Sequence, residues 1–320
     1  MKNKLIAVFI ILLIIIVVYI LIFDFNSAKI ENRLANPYEF NVEELKKVDN
    51  DLIHYHESKQ IKIISEISHG IACHNNLIYL LQDNVLKIID KNGHVKNKID
   101  LNDEPSTLCV KNDGHIIIAF KNYFRIYADN LNLIMESERE NEKSVFTSVA
   151  CRGNIVFIAD AGNRRVMMFD EHGKKKGEFG GKTEKDSKHG FIIPSAYFDL
   201  AINKDEELWV VNPGKHQFQQ YSLNGRFIGF WERTSMTITG FSGCCNPAHF
   251  CFLPNGDFVT SEKGMVRIKV HKPSGELKSV VAAPENFAEG KHAPDICCDE
   301  KGNIIALDYD RNMIRIFELN

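Results

Sequence analysis

The sequence lacks the short motifs by which several enzyme classes are recognised. GxSxG, HExxH, CxxCH and a phosphate-binding loop are all missing from its 320 residues. No nucleophile motif therefore supports an enzyme assignment, and this absence favours a binding protein.

The sequence also lacks a strong excess of positive or negative charge. The net charge is −3, from 39 Lys and Arg against 42 Asp and Glu, and there is no long basic run. Because nucleic-acid-binding domains usually carry a concentrated basic patch, we expect no nucleic-acid partner. The length suffices for one large hydrophobic core or two small ones.

The N-terminus contains an uncharged apolar segment, residues 5–23, with the sequence "LIAVFIILLIIIVVYILIF". As a helix it is long enough to cross ~30 Å of hydrocarbon. Lys2 and Lys4 precede it and Asp24 follows it. The positive-inside rule then places residues 1–4 in the cytoplasm and the rest of the chain outside.

A cleaved signal peptide is the alternative for this segment. Its apolar region would usually be shorter, and no clean small-x-small cleavage site follows directly. The sequence therefore predicts an uncleaved anchor and a single-pass membrane protein. Residues 24–50 are interpreted as a polar tether, in which "NVEELKKVD" would form one or two short helical turns.

After residue 50 the sequence becomes a repeat of short apolar runs separated by turn residues. Each of six segments carries a small residue before a turn, and we call these residues the anchors. The anchors are Cys73, Cys109, Cys151, Ala201, Cys251 and Cys297. Four-strand repeats at ~40–50 residues are typical of propeller blades. Residues 51–320 are therefore predicted to form an all-β, six-bladed propeller.

The two ends of this repeat predict how the ring closes. The last unit stops after its third strand, "MIRIFELN", while the strand-like segment Gln60–Ser65 precedes the first unit. Pairing of Gln60–Ser65 with Met313–Phe317 would complete the last blade and leave few free strand edges.

The third and fourth units resemble the NHL repeat. The segments "NIVFIADAGNRRVMMFDEHGK" and "GEFGGKTEKDSKHGFIIPSAYFDLAINKDEELWVV" carry the family's Gly-Phe-Gly linker, proline, small residue and turn. The resemblance runs from Gly70 to the C-terminus and is weaker in the first two units. The "FSGCCNP…EKG" region is similar to an exported, membrane-anchored subgroup of NHL-type propellers. No WD signature or kelch glycine pair is present.

The anchor cysteines are expected to be reduced thiols that fill the core. Packed sheets lie ~10 Å apart, whereas a disulfide needs Cα atoms within ~7 Å. Free cysteine behaves as a small buried apolar residue. This reasoning predicts no bridge between anchors.

Cys244 and Cys245 precede a proline in the connection from the fourth to the fifth blade. Adjacent residues of a strand point to opposite faces, so both thiols cannot fill one core. Three interpretations stay open, namely one buried and one exposed thiol, a vicinal disulfide, and a pair of metal ligands.

One rim of the propeller is the candidate binding face. The connections into each first strand, and from second to third strand, meet around the channel mouth, and loops on such a scaffold commonly carry function. The candidates on this rim are Asp160, Arg164, Asn212, Lys215, His216, Glu262, Lys263, Asp308 and Arg311, beside Cys244 and Cys245.

A sharper candidate is the set of residues two positions before the anchors of the last three blades, Asp199, His249 and Asp295. Two carboxylates and an imidazole suit a divalent cation such as zinc, manganese or calcium. The alternative is structural: the carboxylates cap strand-start amides and His249 packs over the proline.

Three functions compete on these observations. The first is a membrane-anchored, extracytoplasmic binding or scaffold module whose loop face holds a protein, peptide or glycan. The second is a divalent-metal-dependent enzyme, since the resemblance extends to propellers that act as lyases and lactonases. The third is a redox accessory that uses Cys244 and Cys245. The sequence favours the first.

Overall fold

A computed structural model gives the architecture, and it describes residues 11–20, 41–64, 67–180, 190–288 and 292–320. The chain divides into two units, residues 1–42 and residues 43–320. Every strand among the described residues lies in the second unit. The described helices of residues 42–320 are short, namely the α-helix Val42–Lys46 and the 3₁₀ turns Asn50–Leu52, Pro213–Lys215 and Pro284–Asn286.

The strands follow the chain as six antiparallel groups. They are β1 (Tyr55–Lys62), β2 (Ser68–His74), β3 (Leu77–Gln82), β4 (Val85–Ile89), β5 (Val95–Asp100), β6 (Pro105–Val110), β7 (Ile116–Phe120), β8 (Phe124–Tyr127), β9 (Leu133–Glu136), β10 (Phe146–Arg152), β11 (Ile155–Asp160), β12 (Arg165–Asp170), β13 (Lys175–Gly180), β14 (Leu200–Ile202), β15 (Leu208–Asn212), β16 (Gln217–Tyr221), β17 (Phe227–Glu232), β18 (His249–Phe252), β19 (Phe258–Glu262), β20 (Arg267–His271), β21 (Leu277–Ala282), β22 (Asp295–Cys298), β23 (Ile304–Asp308) and β24 (Met313–Leu319).

These strands form six four-stranded sheets, which confirms the predicted six-bladed propeller. Blades one to five each use four consecutive strands, from β2–β5 to β18–β21. The first strand of each blade, which carries the anchor, contacts the first strand of the next blade, so the six first strands surround the channel. The first strands begin at the rim predicted to bind and run away from it.

The sixth blade contains the closure that the sequence predicts. Its order is β22, β23, β24 and then β1 from the start of the domain. Gln60 pairs with Arg315 and Lys62 with Met313, as expected. The strand itself is Tyr55–Lys62 rather than Gln60–Ser65. Because β24 continues to Leu319 and the pairing is antiparallel, its partner must extend toward the N-terminus. Ser65 lies outside the described residues.

Apolar residues fill the spaces between neighbouring blades. The strands in second position are almost wholly buried, as in Ile116–Phe120 and Ile304–Asp308. The outermost strands are largely exposed, as in Val95–Asp100. The aromatic residues gather between the third, fourth and fifth blades, where Phe218 stacks on Trp231 with centroids 4.4 Å apart. The second strands therefore form the most continuously buried part of the core.

The predicted membrane anchor is only partly covered by the structure. Residues 11–20 are helical, whereas residues 5–10 and 21–23 lie outside the described residues. Among the residues that are described, no helix combines the length and apolar character needed to cross a bilayer.

The prediction that no anchors are bridged is wrong. Cys73 and Cys297 form a disulfide with their Cα atoms 5.9 Å apart. The spacing of ~10 Å holds for the stacked faces of sheets. The first strands converge on the channel, and there adjacent blades approach more closely than their faces do.

Candidate functional site

Asp199, His249 and Asp295 meet at the channel mouth. His249 Nδ1 lies 3.7 Å from Asp199 Oδ2 and 3.8 Å from Asp295 Oδ1. These separations are ion-pair contacts rather than hydrogen bonds, which are shorter. The three residues begin or immediately precede the first strands of blades four, five and six. The equivalent register seen in the sequence thus brings them together.

Both carboxylates also have a structural task. Asp199 accepts hydrogen bonds from the amides of Leu200, at 2.8 Å, and Phe250, at 2.9 Å. Asp295 accepts from Ile296 and, across the ring, from Ile71, both at 2.9 Å. Each carboxylate therefore joins its own strand to the first strand of the next blade. The capping role and the convergence on His249 coexist.

The pKa values of two of these groups are shifted. Burial acts to lower the pKa of His249, but the interactions with Asp199 and Asp295 outweigh it and the pKa is raised. Burial raises the pKa of Asp295 to about 6; His249 opposes this rise and Asp199 adds to it. The floor of the site therefore favours the protonated, positively charged form of His249, which lies between two acids.

A cavity of about 490 Å³ opens above these residues. Its lining comprises His69, Glu104, Pro105, Ser106, Thr107, Lys121, Val145, Phe146, Thr147, Ala196, Tyr197, Asp199, His249 and Asp295. A second cavity, of about 400 Å³, adjoins it and shares His69, Tyr197 and His249. His249 thus lies between two cavities on one face, and we call the two together the mouth cavity.

Four important lining residues were not among the sequence candidates, namely His69, Tyr197, Glu104 and Lys121. His69 and Tyr197 stand four positions before their anchors. Pro105 and Thr147 hold the same position in their blades and also line the cavity. Positions two and four before an anchor share one strand face, so this register was the available signal. Glu104 and Lys121 come from connections, for which the repeat gives no comparable signal.

Tyr197 links the trio to the loop that contains Cys244 and Cys245. Its ring packs edge-on against His249 with centroids 5.3 Å apart, and Lys263 Nζ lies 5.0 Å from its centroid. The amide of Lys263 donates to Asn246 Oδ1 at 2.9 Å. Lys263 is the rim candidate that the structure connects to the trio.

Four other rim candidates are buried loop braces. Asp160, Asn212, Glu262 and Asp308 each end the second strand of a blade. Asp160 accepts from Ser144 Oγ and from Arg165 Nε, both at 3.0 Å. Asn212 holds the amide of Ile192 at 2.9 Å. Their side chains make these contacts within the fold.

Glu262 and Asp308 bind buried cations in the same way. Glu262 Oε1 lies 2.8 Å from both Arg267 Nε and Lys269 Nζ. Asp308 Oδ2 lies 3.3 Å from Arg315 Nη1. These pairs hold the second and third strands of their blades together beneath the rim.

The remaining rim candidates lie away from the trio. Arg311 donates to the Asn286 carbonyl at 2.7 Å, and His216 Nδ1 lies 2.8 Å from the Asn246 carbonyl. Arg164 and Lys215 lie in the connections that follow β11 and β15. None of these four residues lines the mouth cavity in the part of the chain that is described.

Cys244 is exposed and Cys245 is buried, and their sulfur atoms are 3.2 Å apart. Both are free thiols in this structure, which is the arrangement of the first interpretation, one buried and one exposed thiol. Burial acts to raise the pKa of Cys245, but contacts with Ser195, Cys244 and Lys263 outweigh it and the pKa is lowered. Its use in redox chemistry stays a prediction.

The carboxylates of the trio are already engaged by other groups of the protein. Within the described residues, no group of three or more His, Cys, Asp or Glu side chains is arranged to hold a metal ion. Each of the four carboxylate oxygens of Asp199 and Asp295 accepts a hydrogen bond from a backbone N–H. An ion would have to compete with these hydrogen bonds.

No protein-family model matches the chain, and no curated protein matches it either. The NHL resemblance therefore stays a prediction. Solved structures share the fold. A streptogramin B lyase aligns with a TM-score of 0.59 at 12% identity, over 83% of this chain and 97% of that one.

Two further structures align similarly. A catalytically inactive virginiamycin B lyase from Staphylococcus aureus, with quinupristin, gives a TM-score of 0.61 at 12% identity over 83% of this chain and 100% of the other. A protein of unknown function from Bacteroides thetaiotaomicron gives a TM-score of 0.57 at 14% identity, over 83% of this chain and 72% of the other. At such low identity the likeness establishes the six-bladed propeller fold alone.

Proposed function

We propose that this protein is a ligand-binding propeller and that its site is the mouth cavity. The observation that carries the proposal is the convergence of Asp199, His249 and Asp295 beneath a cavity of about 490 Å³. Small-molecule sites typically enclose ~300–1,000 Å³ and combine apolar walls with a few convergent polar groups. The cavity has both features.

The lining indicates the class of ligand. The floor carries two carboxylates around one imidazole, and Glu104 and Asp310 add two acids to the walls, against one lysine, Lys121, among the described lining residues. Phe146 and Tyr197 supply aromatic surface. This combination suits a ligand group with hydrogen-bond donors or a positive charge next to an apolar body. A small molecule, a peptide end or one unit of a glycan would meet these requirements.

A fragment screen tests this proposal. Ligand-observed NMR on the purified protein would use a panel of amines, short peptides and monosaccharides. We expect hits whose signals are lost with Tyr197→Ala and His249→Ala but kept with His172→Ala, which changes an exposed histidine outside the mouth cavity. A panel whose hits survive both cavity variants would exclude the mouth cavity as the site.

Lyase chemistry is the second candidate, and the position of His249 favours it. Because Nδ1 faces the two acids, Nε2 is the ring nitrogen available to a ligand in the mouth cavity. An imidazole held in this way can take a proton from carbon and return it to a leaving group. Two of the structural neighbours are lyases, so the fold accommodates such chemistry in those proteins, and this supports the candidate.

Mass spectrometry of an incubation with quinupristin would test the lyase candidate. An elimination conserves the atoms of the substrate, whereas a hydrolysis adds one water. We expect products without added water, formed by the wild type and not by His249→Ala. Unchanged quinupristin after prolonged incubation would leave the binding proposal standing and remove this substrate from the lyase candidate.

A divalent ion at the trio remains a separate proposal. The supporting feature is the pair of acids flanking one imidazole, and the competing hydrogen bonds oppose it. Metal analysis of protein dialysed against zinc, manganese or calcium decides the question. A metal content near one per chain that falls in Asp199→Asn would support the ion.

We also propose that residues 5–23 hold the protein at a membrane with the propeller outside the cytoplasm. The Cys73–Cys297 disulfide supports this location, because disulfides persist mainly in oxidising compartments. Protease added to intact cells should digest the propeller. Complete protection, with digestion only after lysis, would place it inside.

A further inference from the structure

All eight cysteines of the chain lie in close pairs. Cys73 and Cys297 are bonded. The sulfur atoms of Cys109 and Cys151 are 3.4 Å apart, and those of Cys251 and Cys298 are 3.1 Å apart. Cys244 and Cys245 are sequence neighbours. Three of the four pairs therefore connect first strands of adjacent blades.

The strand registers explain how such pairs arise. Cys109 lies opposite Ile117 on the neighbouring strand of blade two, so the two side chains point to the same face of that sheet. This face packs toward blade three. Cys151 pairs with Val156, whose face packs toward blade two. Both cysteines thus enter the same layer between blades. A sulfur meets a sulfur because one blade's cysteine faces forward around the ring and the next one's faces back.

The other two pairs obey the same rule. Cys297 faces blade one and Cys73 faces blade six, within one hydrophobic layer. Cys251 and Cys298 share the layer between blades five and six. The bonded pair is therefore one of three pairs with the same placement between blades, and the sulfur atoms of the other two are already within 3.4 and 3.1 Å of each other.

The direction in which each anchor cysteine faces varies with the length of the turn that follows it. In blades one and three the first two strands are joined by two residues, Asn75–Asn76 and Gly153–Asn154. In blade two five residues, 111–115, join them. Adjacent residues of a strand alternate between its two faces, and turn length fixes the register of a hairpin. The two-residue and five-residue turns differ by an odd number of residues, so the anchor cysteine lies on opposite faces in the two kinds of blade.

We propose that Cys109–Cys151 and Cys251–Cys298 are a second and a third interblade disulfide, formed by exchange with an oxidised protein dithiol carrier. With them the ring has covalent links from blade five through six to one, and from two to three. Blade four, whose anchor is Ala201, has no such link among its described residues.

The exchange balances as follows for the first pair. The Cys151 thiolate attacks one sulfur of the carrier disulfide, and the second carrier sulfur leaves as a thiolate. Cys109 then attacks the Cys151 sulfur and releases the first carrier sulfur. The two thiol protons of the pair end on the carrier, which is reduced to a dithiol while the pair is oxidised.

The surroundings of Cys151 suit this order. It lines a cavity of about 360 Å³ on the rim opposite the mouth, together with Lys111 and Arg152. The hydrogen bond between the two sulfurs lowers the pKa of Cys151 and raises that of Cys109, and Lys111 adds to the effect on Cys151. Cys151 is therefore the better nucleophile of the two.

Peptide mapping tests the proposal on the full chain, incubated with excess oxidised glutathione and a protein disulfide isomerase. Remaining thiols are then alkylated under denaturing conditions before digestion. We expect crosslinked peptides joining Cys109 to Cys151 and Cys251 to Cys298, beside Cys73 to Cys297. Alkylated Cys109 or Cys251 in protein that contains the Cys73–Cys297 bridge would overturn the proposal, as would absence of all three bridges.

Matched variants make the mapping specific. Cys109→Ser should leave Cys151 unpaired, as one additional alkylated or glutathionylated cysteine, and Cys251→Ser should do the same for Cys298. Cys244→Ser, the control, should leave the three bridges unchanged. The double variant Cys109→Ala with Cys151→Ala should lower the melting temperature of the oxidised protein by roughly 5–10 °C. An equal drop in fully reduced protein would show a packing effect and contradict the bridge.

Discussion

Asp295 Oδ2 accepts a hydrogen bond from the Ile71 amide at 2.9 Å, so a residue of the last blade holds the first strand of the first blade. Asp199 does the same between blades four and five through the Phe250 amide, also at 2.9 Å. Both acids flank His249 at the same time. The geometry of the candidate site and the closure of the ring are thus linked through the same two carboxylates.

Loss of either carboxylate should therefore weaken the fold as well as the site. Asp199→Ala leaves the buried amide of Phe250 without its acceptor, and an unsatisfied buried group costs about 1–3 kcal/mol. We expect a decrease of that size in the free energy of unfolding, measured by urea titration. Asp310→Ala, which removes an acid paired with the exposed His292, should change it by less than ~1 kcal/mol.

The raised pKa of His249 predicts a pH dependence of stability. Its contribution is fully present below the ordinary value of 6.5 and is lost as the pH rises through the higher pKa of the folded state. Compared with His249→Gln, the wild type should therefore lose stability as the pH rises above 6.5. Asp295, with a pKa of about 6, completes most of its ionisation at lower pH. A stability difference that stays constant as the pH rises through this range would contradict the shift.

Glu262 should matter for folding rather than for ligand binding. It is the common partner of two fully buried cations, Arg267 and Lys269. Glu262→Ala would leave both charges uncompensated, and breaking a buried pair typically costs ~3–5 kcal/mol. Chemical denaturation measures this loss. Glu276→Ala, which breaks the exposed pair with Lys272, is the matched control and should cost at most ~1 kcal/mol.

Ring closure by β1 predicts the effect of truncation. Deleting residues 55–62 exposes the edge of β24 and removes Glu57, which binds Arg315 Nη2 at 2.7 Å. We expect the cooperative thermal transition to disappear, as an open ring presents two unpaired edges. Deleting residues 1–40, by contrast, should leave the transition of the propeller intact. Similar melting curves for the two truncations would be incompatible with closure by β1.

The repeat was readable from the sequence because its signal is local. Each blade places a small residue, a turn and a buried second strand at a nearly constant distance along the chain, and the shortfall at the C-terminus indicated a strand from the other end. The exact bounds of β1 were not readable, since they depend on how far β24 extends toward Leu319.

The mouth residues were partly readable for the same reason. A shared register two positions before the anchors selected Asp199, His249 and Asp295, because equivalent positions of a repeat occupy equivalent places around the channel. The rim acids were selected by their polarity alone. Polarity does not distinguish a carboxylate open to a ligand from one such as Glu262, which is neutralised by cations of the neighbouring strand.

The sequence by itself thus determined the number of blades, the closure and the register of the trio, all of which follow from periodicity along one chain. The tertiary structure decided the partners across blade boundaries. Whether Cys73 meets Cys297 depends on which face each presents and on how closely the first strands converge at the channel, with Cα atoms 5.9 Å apart. Those quantities arise only when six sheets pack into a ring, since no single repeat contains both sides of the boundary.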